Sequence, residues 1–470
     1  MSLEKEKIDR SAWLTLGTLS CLGLIAMYGE TMVLPAIPTL IVDFEMPYST
    51  SSWILSSYMI AGAVATPIAG KLSDVYGRKK ILLIVLSIYS VGILAGGFAN
   101  SLPFMLAARA AQGIGISMFP IAFGIIREVL PVKKLAVGQS IFTATFPAGA
   151  TIGLLVGANI IQNYGWHATF FTVFPIAVIL GLFILKFIHV DSLSKIPEHK
   201  MSIDVKGSVF LAITIISFLV GISNLENNIG HVYESLIFFA VTIISLIVFI
   251  IVEKRTESPL IDFKMLTNKM LLFGILILLI VGLCTFMVYQ TIPIMIQSPQ
   301  PLGFGGTELT TATVQLPFML IFLVGSITSG FALDRIGNKR LTMIGTLVGT
   351  VGFFTLLLFH STDYMVTITL AIVAAGLSLA FIGGFNIVLL STPIQFAGIA
   401  LGMTLLLNLI GQSIGPSIAG MFQQMHRSTI EGITGSFPTP DAYNLIFLTA
   451  FIISLTSVVF AISLNKKVLA

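Results

Sequence analysis

Long apolar runs separated by short polar or charged breaks set the rhythm of the 470-residue chain. Cutting at the breaks yields fourteen runs, near 13–41, 52–70, 81–99, 103–126, 139–161, 168–189, 207–223, 235–252, 271–297, 313–333, 341–359, 364–389, 398–421 and 444–464. A helix needs about 20 apolar residues to cross a bilayer, so the pattern predicts fourteen transmembrane helices. The opening "MSLEKEKIDR" precedes roughly thirty apolar residues, longer than the core of a cleavable signal peptide, and the first run reads as a retained span.

Charge placement tests the count. With the N-terminus inside, the tails and the loops after even-numbered spans hold all but two of the 25 Lys and Arg residues, the exceptions being Arg109 within a span and Arg427 on the opposite side. One miscounted span would invert every later loop, so the asymmetry supports an even number of spans with both termini cytoplasmic. The net charge of +4 is therefore topological and implies no nucleic-acid partner. Composition agrees: 56% hydrophobic and 10% charged, with a mean hydropathy of +0.99, against about a quarter charged in soluble domains. Cys21 and Cys284 fall inside apolar runs, which indicates neither a disulfide framework nor a metal site.

The chain repeats itself. "GKLSDVYGRKK" (70–80) follows span two and "GFALDRIGNKR" (330–340) follows span ten, with Gly70, Asp74, Gly77 and Lys79 matched by Gly330, Asp334, Gly337 and Lys339. Two copies on one side of the membrane imply parallel halves related by an axis along the membrane normal. The expected organisation is a first bundle over 12–190, a charged linker with two extra spans over 191–252, and a second bundle over 271–465.

These segments resemble the major facilitator superfamily, and within it the fourteen-span drug/proton antiporters. "GKLSDVYGRKK" is similar to the superfamily's loop between spans two and three, "RAAQGIG" (109–115) to its fourth-span Arg-x-x-Gln-Gly motif, and "TMVLPAIPTL" (31–40) to the antiporters' first-span motif. "IDVKG" (203–207) and "SPLIDFKML" (258–266) match segments around the two additional helices of the fourteen-span group. The resemblance implies an all-α polytopic membrane protein with two six-helix bundles around a central cavity that opens alternately to each side. Two features depart from the pattern. The fifth-span "GATIGLLVG" (149–157) keeps Gly149, Gly153 and Gly157 as a small-residue ridge but lacks the usual Gly-Pro pair. The first-span acid normally stands at the position of Gly29, whereas here Glu30 follows it, turned by about 100°.

Glu30 and Arg109 are the ionisable side chains lying well inside spans, and intramembrane charges are functional candidates by default. Glu30 reads either as a proton carrier or as the static counter-ion of Arg109. Arg109 keeps its proton, so with Gln112 one turn on it is a fixed cation that tunes a nearby acid or a clamp on span one. Amides inside or at the margins of spans, Gln112, Gln139, Asn159, Gln162, Gln290, Gln297, Gln315, Asn386, Asn408 and Gln412, map to cavity-lining helices of the family fold. Each alone could equally join two helices. With Tyr28, Tyr58 and Tyr289, the set suggests a large apolar cavity with sparse polar contacts. Gly70, Asp74, Gly77 and Arg78 match the family's cytoplasmic latch, with Asp334 and Arg335 as its degenerate copy.

The expectation is a proton-coupled secondary transporter of the plasma membrane, expelling lipophilic or cationic compounds by alternating access. Its partners would be a small-molecule substrate, protons and the bilayer. Neither a cofactor nor an oligomer is required, and nothing points to an enzyme. The alternatives are a same-fold metabolite or lipid transporter with a narrow substrate and, from another class, a membrane receptor or enzyme, which would need clustered catalytic acids, histidines or a ligand domain.

Overall fold

The computed structural model describes residues 10–188, 204–224, 228–256, 259–392 and 397–464. Most of the charged linker therefore lies outside the described residues. The first half contains α1 (Ser11–Asp43), α2 (Tyr48–Tyr76), α3 (Arg78–Gly97), α4 (Leu102–Val129), α5 (Val137–Tyr164) and α6 (Trp166–Phe187). A hairpin of α7 (Val205–Ser223) and α8 (Tyr233–Arg255) follows. The second half contains α9 (Lys269–Gln297), α10 (Glu308–Thr328), α11 (Asn338–Leu358), α12 (Asp363–Leu390), α13 (Ala400–Met425) and α14 (Pro440–Ile462). All fourteen are long and apolar enough to cross a membrane.

Small residues decide which helices approach closely, because lipid offers apolar side chains no incentive to leave it. Gly149, Gly153 and Gly157 put the α5 backbone against Leu24, Tyr28 and Met32 of α1, and an added Cβ would stand 2.5, 2.7 and 2.7 Å from the carbonyl oxygens of those residues. Thr31 uses the same contact to donate to the Ala150 carbonyl at 2.8 Å. In the second half Gly411 and Gly415 of α13 play this part against Leu279 and Leu283 of α9.

The repeat is visible in three dimensions. Gly77 and Gly337 each connect one helix to the next with a positive φ, 95° and 79°, a conformation that strains any residue with a Cβ. Two residues beyond, Lys79 donates to the Leu185 carbonyl at 2.8 Å, near the end of α6, and Lys339 to the carbonyls of Ile462 and Leu464 at the end of α14. Each lysine satisfies carbonyls that the helix end leaves without an internal partner.

Between α13 and α14 the chain forms a two-stranded antiparallel hairpin that the all-helical reading does not anticipate, β1 (Arg427–Ile430) and β2 (Ile433–Pro438). β-branched residues favour the strands, and Gly432, at φ 80°, supplies the turn.

The halves join near the Arg427 end of the helices. Side-chain hydrogen bonds between them cluster toward that end. Tyr48 donates its amide to Gln424, Ser56 its hydroxyl to the Ser413 carbonyl, Gln290 its amide to Ser51, and Gln297 its amide to the Pro35 carbonyl, at 3.0, 2.7, 2.8 and 2.8 Å. Toward the Arg78 end, a Cβ added at Gly17 of α1, Gly70 of α2 or Gly402 of α13 would meet nothing within 4 Å. The α2–α13 seam is thus tight at one end and parted at the other.

The α7–α8 hairpin lies against this seam, α7 packing on both α2 and α13. Hydroxyls join the two helices, Thr214 with Ser245 and Ser217 with Thr242, both at 2.9 Å. The outer face of α8, including Leu236, Ile237, Ile243 and Ile244, is exposed as lipid-facing surface.

Candidate functional site

A break in α1 builds the site. Pro35 has no N–H to continue an α-helix, and the chain tightens into a single 3-10 turn over Leu34–Ala36. The last bond before the break runs from the Met32 amide to the Tyr28 carbonyl at 2.9 Å. The next carbonyl, that of Gly29, turns to Arg109 instead and accepts from Nη1 at 2.9 Å.

Arg109 of α4 is fully buried. Its Nε donates to the Ile54 carbonyl of α2 at 3.2 Å, and Nη1 also reaches Gln112 Oε1 at 2.8 Å. Gln112 in turn donates to the Gly92 carbonyl of α3 at 2.8 Å. The guanidinium lies over the Tyr58 ring, 4.4 Å from its centroid, a cation–π contact strengthened by the absence of water. One cation thus ties four helices together, and its Nη2 has no partner. Tyr58 and Tyr89 complete the enclosure by donating to the α1 carbonyls of Ala26 and Ile25 at 3.3 and 2.8 Å.

Glu30 is buried beside this cluster but forms no ion pair with Arg109. Ion pairs do form at Arg78, with Asp74 and Glu128. Glu30 lies within electrostatic reach of Arg109, Tyr58 and Tyr89, and across the interface of Tyr289 on α9. Its carboxyl is thus within reach of groups in both halves, whereas Gly29 faces Tyr89, whose Oη would stand 2.3 Å from a Cβ at position 29. Tyr89 excludes a side chain from position 29, and the acid sits one step round the helix.

Tyr289 donates to the Met319 sulfur at 3.3 Å and packs against Phe286 and Phe318, at centroid distances of 5.0 and 6.0 Å. Gln290 leaves Oε1 unpartnered, and neither amide atom of the buried Gln315 has a hydrogen bond. The other cavity candidates are placed differently. Tyr28 turns to Thr172 of α6. Asn386 bonds back to the Ile382 carbonyl at 3.0 Å. Asn408 donates to the Leu278 carbonyl at 2.7 Å and accepts from Gln412 at 2.9 Å, joining α13 to α9.

At the loop between α2 and α3, Arg78 forms ion pairs with Asp74 at 3.3 Å and Glu128 at 2.6 Å, and donates to the Gly124 carbonyl at 2.6 Å. A Cβ at Gly124 would lie 2.8 Å from the guanidinium carbon. All these partners belong to the first half. In the second copy Arg335 is exposed, Asn338 stands in place of Arg78, and the Asp334 side chain lies outside the described groups. Sequence reasoning missed Glu128, Tyr89 and Ser51. For Glu128 there was a signal, a lone acid at the end of span four on the same side as the basic loop.

Comparison with known proteins places this geometry. The sequence profile described as "Major Facilitator Superfamily" matches residues 19–416 and 275–467. Multidrug resistance protein 3 of Bacillus subtilis is 27% identical over 439 residues, covering 90% of this chain and 82% of the relative. The tetracenomycin C resistance and export protein of Streptomyces glaucescens is 24% identical, covering 87% and 75%. Among solved structures, a bacterial homologue of the human lysosomal transporter Spinster superposes with a TM-score of 0.69 at 14% identity over 96% of each chain. The xylose transporter XylE of E. coli superposes with a TM-score of 0.61 at 14% identity, covering 95% and 98%. Profile, relatives and fold agree that this chain is a transporter and belongs to the Major Facilitator Superfamily.

Proposed function

We propose that the protein exports lipophilic or cationic small molecules in exchange for protons, and that Glu30 carries the proton. The observation that supports this reading is the position of Glu30: buried, within electrostatic reach of Tyr289 in the second half, and not consumed by an ion pair with Arg109. Burial without a charged partner favours the neutral acid, and the nearby fixed cation helps release the proton when water or a cationic substrate arrives. Arg109, held by three acceptors, supplies that field without titrating. The unpartnered amides of Gln290 and Gln315 and the aromatic ring set around Tyr289 provide an adaptable, mostly apolar surface for substrate.

The names of the relatives support export of drug-like compounds. We assign the Arg78 face to the cytoplasm of a plasma-membrane protein with both termini inside, from the clustering of basic residues there. On this assignment the parted α2–α13 seam makes the structure an inward-facing state. The Arg78 latch is then disengaged from the second half, which fits a role in the opposite state.

The test is Glu30→Gln in proteoliposomes. Uphill transport driven by a pH gradient is expected to fail while downhill substrate exchange persists and substrate-induced proton release disappears. A well-folded Glu30→Gln protein that still releases protons on binding substrate removes Glu30 from the mechanism.

A further inference from the structure

Two carboxyl groups meet at the Arg78 end of the α7–α8 hairpin, each with only one of its oxygens spent on a backbone amide. Asp204 caps α7, its Oδ1 accepting from the Gly207 amide at 2.8 Å. Glu253, in the last turn of α8, accepts from the Ile261 amide through Oε2 at 3.1 Å. The residues are only 5% and 2% exposed. Their other oxygens, Asp204 Oδ2 and Glu253 Oε1, have no donor. Both close on one point, since a Cβ on Gly207 would stand 2.3 and 2.5 Å from them. The two oxygens therefore border the same small space beside Gly207.

Two ionised carboxylates cannot occupy such a place together, and the recurrent solution is one proton between them. We propose that Asp204 and Glu253 share a proton, and that this proton clamps the end of the α7–α8 hairpin. The proton turns a repulsive contact into an O–H···O bond and supplies the donor that both unpartnered oxygens lack.

The charged groups around the pair are few. Lys71, near the end of α2, lies within electrostatic reach of both. Lys206, Lys254 and Arg255, on the same elements, are exposed to solvent. Asp262, next to Ile261, turns to its own loop and accepts from the Lys264 amide at 2.9 Å. With the proton, one negative charge stands against Lys71; without it, two negative charges do. Loss of the proton should therefore loosen the joint between the α7 cap and the α8 end.

The position makes the joint consequential. α7 packs on both α2 and α13, and at its far end Ser223 accepts from Trp53 Nε1 of α2 at 3.3 Å. The hairpin is tied to α2 at its far end, and at the Arg78 end its own two helices meet in the proton-dependent contact. Closing the parted end of the seam brings α2 and α13 together beside that contact, so acidity on the Arg78 face would set how stiffly the hairpin resists. This holds whether or not Glu30 carries the transported proton.

The experiment uses the full chain with Cys21 and Cys284 replaced by serine and spin labels at Val209 of α7 and Ile247 of α8, both exposed. On raising the pH from about 6 to about 9, the distance distribution is expected to broaden and lengthen as the shared proton leaves. In Glu253→Gln and Asp204→Asn an amide donor replaces the proton while the cap to Gly207 is kept, so the distribution should stay narrow at both pH values. An infrared pH-difference spectrum of the unlabelled Glu30→Gln protein, which removes the carboxyl band of Glu30, should show a protonated-carboxyl carbonyl band vanish over the same range, and adding Glu253→Gln should abolish it. An unchanged wild-type distribution, or a band that survives when Glu253→Gln is added to Glu30→Gln, overturns the proposal. The wild-type distance measurement decides the matter even if a variant folds poorly.

Discussion

Arg109 donates a hydrogen bond to the backbone carbonyl of Gly29 at 2.9 Å and forms no ion pair with Glu30, the next residue. The cation is thereby fixed by neutral acceptors, and the acid remains available for exchange with protons or substrate.

This arrangement separates the two charges under mutation. Arg109→Gln orphans the Gly29 and Ile54 carbonyls, each worth about 1–3 kcal/mol when buried, so its melting temperature should fall well below wild type. Glu30→Gln leaves those bonds intact and should melt near wild type. Equal losses would mean that the two residues act as one structural pair.

The latch depends on Gly124 as much as on the charges. Gly124→Ala places a methyl against the Arg78 guanidinium and should reduce transport to the level of Asp74→Asn, with expression maintained. Asp334→Asn should do less, because Asn338 supplies no cation where Arg78 does. Transport rates in vesicles at matched protein levels decide the ranking.

Close approach of α1 and α5 predicts a graded cost. Gly153→Ala sets a Cβ 2.3 Å from Thr31 Oγ1 and 2.7 Å from the Tyr28 carbonyl, and overpacking of this kind costs about 1–3 kcal/mol. Gly17→Ala, which meets open space, should be neutral in the same thermal-shift assay.

Gln315 gives an opposed pair of effects. Its amide is buried with neither atom bonded, so Gln315→Leu should raise stability by roughly 1–3 kcal/mol, the penalty of unsatisfied buried polar groups. If Gln315 meets substrate, the same change lowers affinity. A variant that is both more stable and of unchanged affinity would exclude it from the binding surface.

Orientation is tested by labelling. In the cysteine-free background, a cysteine at Ser428 of the β-hairpin should react with an impermeant thiol reagent added outside intact cells, and one at Tyr76 should not; both positions are exposed. The reverse pattern would invert the assignment of faces.

The sequence by itself determined the number of spans, the parallel repeat and the family, because the bilayer acts on each segment separately. An apolar run of sufficient length must become a helix whatever its neighbours, and a glycine at positive φ ends it locally, as at Gly77 and Gly337. The pairing of helices and the aim of side chains were decided only by the tertiary structure. Gln290 and Asn408 are alike in sequence terms, yet one retains a free acceptor beside the interface and the other is spent on the Leu278 carbonyl. Glu30 and Arg109 are opposite charges in adjoining spans, and the sequence left an ion pair open. The break at Pro35 freed a backbone carbonyl that satisfies the arginine first. Asp204 and Glu253 stand 49 residues apart, at what the sequence shows as unremarkable helix ends, and only the folding of the α7–α8 hairpin brings them together. Local hydrophobicity is additive along the chain, whereas a buried polar contact depends on which distant partner arrives within a few ångströms, and that is a property of the packed fold alone.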